Sequence, residues 1–282
     1  MKIIKILIII AIAAALMACS FTVNVPTVRT GVTQTFTVDE APGSGSETSS
    51  ISIEMGAGKL NLSAGTDKLV EGEILFNIDD WKPVLTRDGN SVTIRQEHLV
   101  NVGIPEGTIK NNWNLKIGPM PLDLNLSTGA YEGDLDLTGL SITKLSIADG
   151  ASESKVRFDA PNPVDMSLFS YKTGASDVTI TGLANANADR VTFDSGVGSF
   201  ELDFSGELRK DVNVEIKSGM SDVKLILPAD KHVKVLVNGG LKEVRFTGTW
   251  TVYNNAYEFG TEGPVINIVI DMAVGSLQLV KQ

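Results

Sequence analysis

The sequence predicts an all-β fold: a parallel β-helix-like solenoid built from repeats of about 22 residues. A glycine and small residues followed by apolar-polar-apolar recur eight times: "GAGKLNL" from Gly56, "GAYEGDLDL" from Gly129, "GASESKVRF" from Gly150, "GASDVTI" from Gly174, "GVGSFELDF" from Gly196, "GMSDVKLIL" from Gly219, "GGLKEVRF" from Gly239 and "AVGSLQLV" from Ala273. Aligning their centres puts Asn61, Asp136, Arg157, Thr179, Glu201, Lys224, Arg245 and Gln278 in one column, with steps of 21, 22, 22, 23 and 21 residues from Asp136 to Arg245. A strand-like run precedes each corner, as "RVTFDS" precedes Gly196, and period-2 alternation points Val191, Phe193, Phe200, Leu202 and Phe204 to one side. A β-sandwich of consecutive hairpins is the alternative; it also alternates, but it needs no constant period.

The elements follow in chain order. Residues 1–18 carry Lys2 and Lys5, then an apolar run too short for a transmembrane span, ending in small residues. This is an export signal. Leu16-Met17-Ala18-Cys19 resembles the bacterial lipobox, which implies cleavage before Cys19 and diacylation of its sulphur. Loss of Lys2 and Lys5 takes the net charge from -10 to -12. With one cysteine in the chain, no intramolecular disulfide forms, so stability must come from packing. Residues 19–50, rich in Gly, Ser, Thr and Pro, read as a tether in which "TQTFTV" could form an edge strand. Residues 51–126 form an N-terminal region outside the regular period, with hairpin chemistry at Asp88-Gly89-Asn90. Residues 127–282 hold the repeats, interrupted after Arg245 by "GTWTVYNNAYEFGTEGP", which reads as a hairpin or end cap.

In the stacked column, Asp136 beside Arg157 and Glu201 beside Lys224 are favourable neighbours, and Lys224 beside Arg245 is unfavourable. The glycines of "SGVGSF" lack the Lys and the following helix of a phosphate-binding loop, so they read as corners.

"GAGKLNLSAGTDKLVEGEILFN", "DDWKPVLTRDGNSVTIRQ", "NNWNLKIGPMPLDLNLSTGAYEGDLDLTGL" and the glycine repeats after them resemble the toast-rack family (DUF2154) of bacterial envelope proteins. That family is related to the C-terminal domain of LiaF-type cell-wall stress proteins and to candidate adhesins of the DUF4097 type. The resemblance covers about residues 50–282. It implies a β-helix-like body and supplies no catalytic residues. LiaF-type proteins carry transmembrane helices ahead of this domain, where this sequence has a lipid anchor.

His98 and His232 have no Cys, His or carboxylate at ligand spacing and read as surface residues. Asp79-Asp80 and the Asp134, Asp136 pair lack the spacing of a calcium loop and read as solvated carboxylates. No cofactor or metal is expected. The acidic balance argues against nucleic acid. Trp250, Tyr253, Tyr257 and Phe259 are the candidate partner-binding residues, since amphipathic aromatics suit a glycan or protein interface; their other role is to cap the last rung. The expectation is a lipid-anchored protein on the extracytoplasmic side of a membrane in the bacterial cell envelope, serving as a structural, adhesive or interaction module with an unidentified protein or glycan partner. A LiaF-like stress regulator and a carbohydrate-active enzyme are the alternatives. The enzyme would need convergent carboxylates in a loop-built groove, and the variable turns are mostly short.

Overall fold

The computed structural model describes residues 27–43, 48–97, 104–240 and 244–282. Among them, eighteen strands follow one another: β1 (Thr27–Arg29), β2 (Gln34–Glu40), β3 (Ser49–Ala64), β4 (Val70–Phe76), β5 (Pro83–Asp88), β6 (Ser91–Gln96), β7 (Ile104–Glu106), β8 (Asn111–Ile117), β9 (Leu122–Asp136), β10 (Ile142–Arg157), β11 (Leu168–Thr181), β12 (Arg190–Asp203), β13 (Val212–Leu227), β14 (His232–Gly239), β15 (Val244–Thr247), β16 (Thr251–Tyr253), β17 (Ala256–Phe259) and β18 (Val265–Lys281). Strands β1 and β7 pair apart from the rest, which form one large sheet.

Seven strands of 14 to 17 residues make the body. They lie in the order β3, β9, β10, β11, β12, β13, β18, every neighbouring pair parallel. Each folds over at its glycine corner. The rings of Phe193 and Phe200, both in β12, lie 5.1 Å apart. In a flat strand, residues seven apart would be separated by roughly 23 Å and would point to opposite faces. The fold-over turns both halves inward, so each strand is one rung with two walls. One wall stacks Leu124, Leu145, Phe169, Val191, Val214 and Ile268; the other stacks Leu62, Leu135, Val156, Ile180, Leu202, Leu225 and Leu279. All are buried, and each contributes about 1.5–3 kcal/mol of apolar burial.

Close approach explains the glycines at the corner. Gly56, Gly129, Gly150, Gly174, Gly196 and Gly219 stack on one another. A Cβ on any of the last five would strike the carbonyl oxygen of the glycine in the preceding rung, at 2.6 Å for Gly219 against Gly196. A side chain there would force the rungs apart.

The register confirms parts of the expected column and corrects others. Asp136 is opposite Arg157, and Glu201 is opposite Lys224. However, Arg157 faces Thr181, while Thr179 faces Lys155, and Asn61 faces Asp134 rather than Asp136. These are two-residue slips absorbed by the return turns, and an even slip leaves every side chain on its own face. Lys224 and Arg245 are not neighbours, because Gln278 of β18 lies between them. The chain leaves the stack after β13, forms β14 to β17 outside, and inserts β18 back against β13.

Both ends of the stack are therefore covered by excursions. At β3 the walls part: its first half pairs with β6 of the antiparallel β5–β6 hairpin, and its second half pairs with β8, followed by β4 and β2. The "TQTFTV" run falls in β2, an outermost strand. At the far end, the first half of β18 pairs with β14 and the second with β15, and the aromatic insertion forms the antiparallel β16–β17 hairpin beside β14. Such covers protect the terminal rungs from open pairing. Along the return turns, Asn185 bridges rungs: its Nδ2 donates to Phe158 O and its Oδ1 accepts from Glu207 N, both at 2.8 Å.

Candidate binding surfaces

Two surfaces stand out, a polar groove near the first rungs and an aromatic cluster at the far end. The groove lies on the outer side of the wall formed by β2, β4, β8, β3, β9 and β10, with a volume of about 630 Å³. Alternation places its polar residues: Leu60, Leu62, Leu115 and Leu135 point into the core, so Asn61, Asn114, Asp134 and Asp136 point out. Arg157 reaches across from β10 as a fork, with Nη1 donating to Asp134 Oδ1 at 2.8 Å and Nη2 to Asp136 Oδ2 at 3.1 Å. Partial burial works to raise the Asp136 carboxyl, but hydrogen bonds from Thr138 and Arg157 outweigh it and hold its pKa below the ordinary value. Asn61 Nδ2 donates to Asn114 Oδ1 at 2.7 Å. At the opposite margin Lys68 contacts Asp39 at 2.5 Å and Glu71 at 3.7 Å, and the Asp39 hydrogen bond raises the ammonium pKa. Asp134 and Asp136 are thus bound to a guanidinium rather than only solvated.

At the far end the structure joins three of the four expected aromatic residues. Trp250 is the hub, with ring centroids 4.6 Å from Phe259, 6.4 Å from Tyr257 and 6.5 Å from Phe246, all edge to face. Its Nε1 donates to Thr247 O at 2.9 Å, and Lys281 Nζ sits 4.3 Å from the Phe259 ring centre. Trp250 and Tyr257 pack against the core, and Phe259 is buried. This is the geometry of a cap. Tyr253 is 77% exposed and stands apart on β16. Phe246, 45% exposed, joins the cluster unforeseen; its signal was the alternation of "VRF", which puts it over Leu279.

The remaining candidates are placed as follows. Cys19 and His98 lie outside the described residues. His232 is partly buried rather than freely exposed: its side chain is 13% exposed, and its Nε2 lies 2.9 Å from Glu258 Oε1. The carboxylate comes from 26 residues away through the β14–β17 register, which spacing along the chain could not show. That contact holds the Glu258 carboxyl below its ordinary pKa. Asp79 Oδ1 accepts from Gln34 Nε2 at 2.6 Å in a one-turn 3-10 segment, Asp79–Trp81. Among the described residues no three His, Cys, Asp or Glu side chains are grouped to hold a metal ion. No described helix is long and apolar enough to cross a membrane.

The chain belongs to the toast-rack family. The family model for the N-terminal domain of toast_rack, DUF2154, matches residues 26–180 and 160–226. Among solved structures, the chain is similar to a candidate cell adhesion protein from Clostridium sporogenes, at 21% identity and a TM-score of 0.47, covering 89% of this chain and 99% of that one. A candidate adhesin from Bacteroides fragilis matches at 11% identity and a TM-score of 0.36, covering 89% and 99%. A candidate lipid binding protein from Parabacteroides distasonis matches at 11% and 0.38, covering 91% and 100%. No curated protein matches the chain.

Proposed function

We propose that this is an exported envelope protein, anchored on the extracytoplasmic side of a membrane by lipid on Cys19, whose stiff solenoid serves as a non-enzymatic structural, adhesive or interaction module. The observation that carries the reading is the seven-rung parallel stack itself. Every rung hydrogen-bonds to the next along its length, so the body presents a fixed outer surface rather than a closing cleft. The export signal and the lipobox-like Leu16-Met17-Ala18-Cys19 supply the anchor. Stable attachment takes more than one acyl chain, which a lipidated cysteine carries.

Fractionation of cells that express the wild type and Cys19→Ser tests the anchor. The wild type is expected with membranes, and the variant in the soluble fraction. Unchanged membrane retention of the variant would contradict the proposal.

A further inference from the structure

We propose that the groove on the outer side of β2, β4, β8, β3, β9 and β10 binds a neutral, hydroxyl-rich glycan chain; this rests on the reading of the protein as an interaction module. The chemistry of the lining narrows the ligand. Its ionisable residues are Asp39, Glu71, Glu73, Asp134 and Asp136 against Lys68, Lys116 and Arg157, a balance of 3 - 5 = -2 that disfavours anionic polymers. The outward side chains are polar, so an acyl chain or an apolar helix would cover charged and amide groups without satisfying them. A metal ion would have to displace Arg157 from Asp134 and Asp136, or Lys68 from Asp39.

What the lining offers is planar polar edges with donors and acceptors side by side. The bond from Asn61 to Asn114 leaves Asn61 Oδ1 and Asn114 Nδ2 with no other partner among the described residues. The Arg157 fork leaves its Nε and Asp134 Oδ2 likewise open. A sugar hydroxyl donates and accepts at once, so a vicinal pair matches such an edge with two bonds. The two edges sit on neighbouring strand pairs, β8 with β3 and β9 with β10, two strand spacings or ~10 Å apart, so a chain running across the strands can meet both with rings roughly two units apart. At about 630 Å³ the groove is of ligand size. It is open, so single-site binding is weak, and retention would depend on many anchored copies engaging one polymer.

The test uses the full chain carrying Cys19→Ser, applied to beads densely coated with neutral oligomers of β-1,4-linked N-acetylglucosamine, β-1,4-linked glucose or α-linked mannose, with a sulfated polysaccharide for comparison. At least one neutral glycan should retain the protein. Asn114→Ala and Arg157→Ala should each lower retention tenfold or more with unchanged circular dichroism, and Trp250→Ala should not. Loss with Trp250→Ala alone would move the site to the aromatic end and overturn the groove, leaving the interaction module intact. Retention only by the sulfated polymer, or by no glycan at all, would overturn the glycan; the anchor is decided separately by fractionation.

Discussion

Lys224 Nζ donates to Glu201 Oε2 at 3.0 Å, across directly opposed positions of the parallel strands β13 and β12. The pair is half-exposed, so its contribution is small, about 0.2–1 kcal/mol. Its value is as a reporter of register. Lys224→Glu should lower stability by up to about 1 kcal/mol in urea denaturation, and adding Glu201→Lys should restore most of the loss. No recovery in the double variant would mean that these residues are not opposed in solution.

The glycine ladder makes a stronger demand. Gly219→Ala sets a methyl group 2.6 Å from the Gly196 carbonyl oxygen, and the opposing atom is backbone held by its own rung. Separating two rungs should cost about 1–3 kcal/mol, visible as a lower midpoint in thermal or urea unfolding. A variant as stable as the wild type would show that the corner is looser than described.

Near the same corner, Tyr171 Oη donates to Asp149 Oδ2 at 2.8 Å, and burial pushes the Tyr171 hydroxyl far above its ordinary pKa. It therefore stays protonated as a donor across the accessible pH range. Tyr171→Phe keeps the ring against Phe193 but removes one of the donors to Asp149, leaving Thr173 and Ser176. A loss of about 1–2 kcal/mol in equilibrium unfolding is expected. A loss as large as that from deleting the whole ring would contradict this role.

Acid should reveal the Asp136 and Arg157 pair. Because folding lowers the Asp136 pKa, its contribution is complete above the ordinary carboxylate value and is lost as pH falls through the folded value. Wild type should therefore exceed Arg157→Ala in stability at pH 7, and the gap should narrow through the acidic carboxylate range. A gap that is constant with pH would assign the Arg157 effect to packing of its stem rather than to charge.

The rung was legible in the sequence because it is local: glycine corners, inward Val191, Phe193, Phe200 and Leu202, and a near-constant period all lie within about 22 residues. The order of the rungs was not. Nothing local to "AVGSLQLV" says that β18 sits inside β14 and β15, and the two-residue slip that sets Lys155 opposite Thr179 preserves the alternation that would have exposed it. The same limit hid the groove. Asp39, Asn114 and Arg157 come from separate strands and meet only when the wall assembles, whereas Trp250, Tyr257 and Phe259 lie within ten residues and could be grouped by eye.

The stacking order of the rungs can be measured directly as a spin-label distance. Lys155, Thr179, Glu201, Lys224 and Gln278 are successive neighbours across β10, β11, β12, β13 and β18. In a Cys19→Ser background, labels at Lys155→Cys and Gln278→Cys should give one narrow distribution for backbones four strand spacings apart, about 19 Å before the label length is added. A distance longer by one spacing, about 4.8 Å, would place β18 beyond the rung that β14 and β15 share and contradict the inserted strand. A broad distribution would contradict the rigid stack.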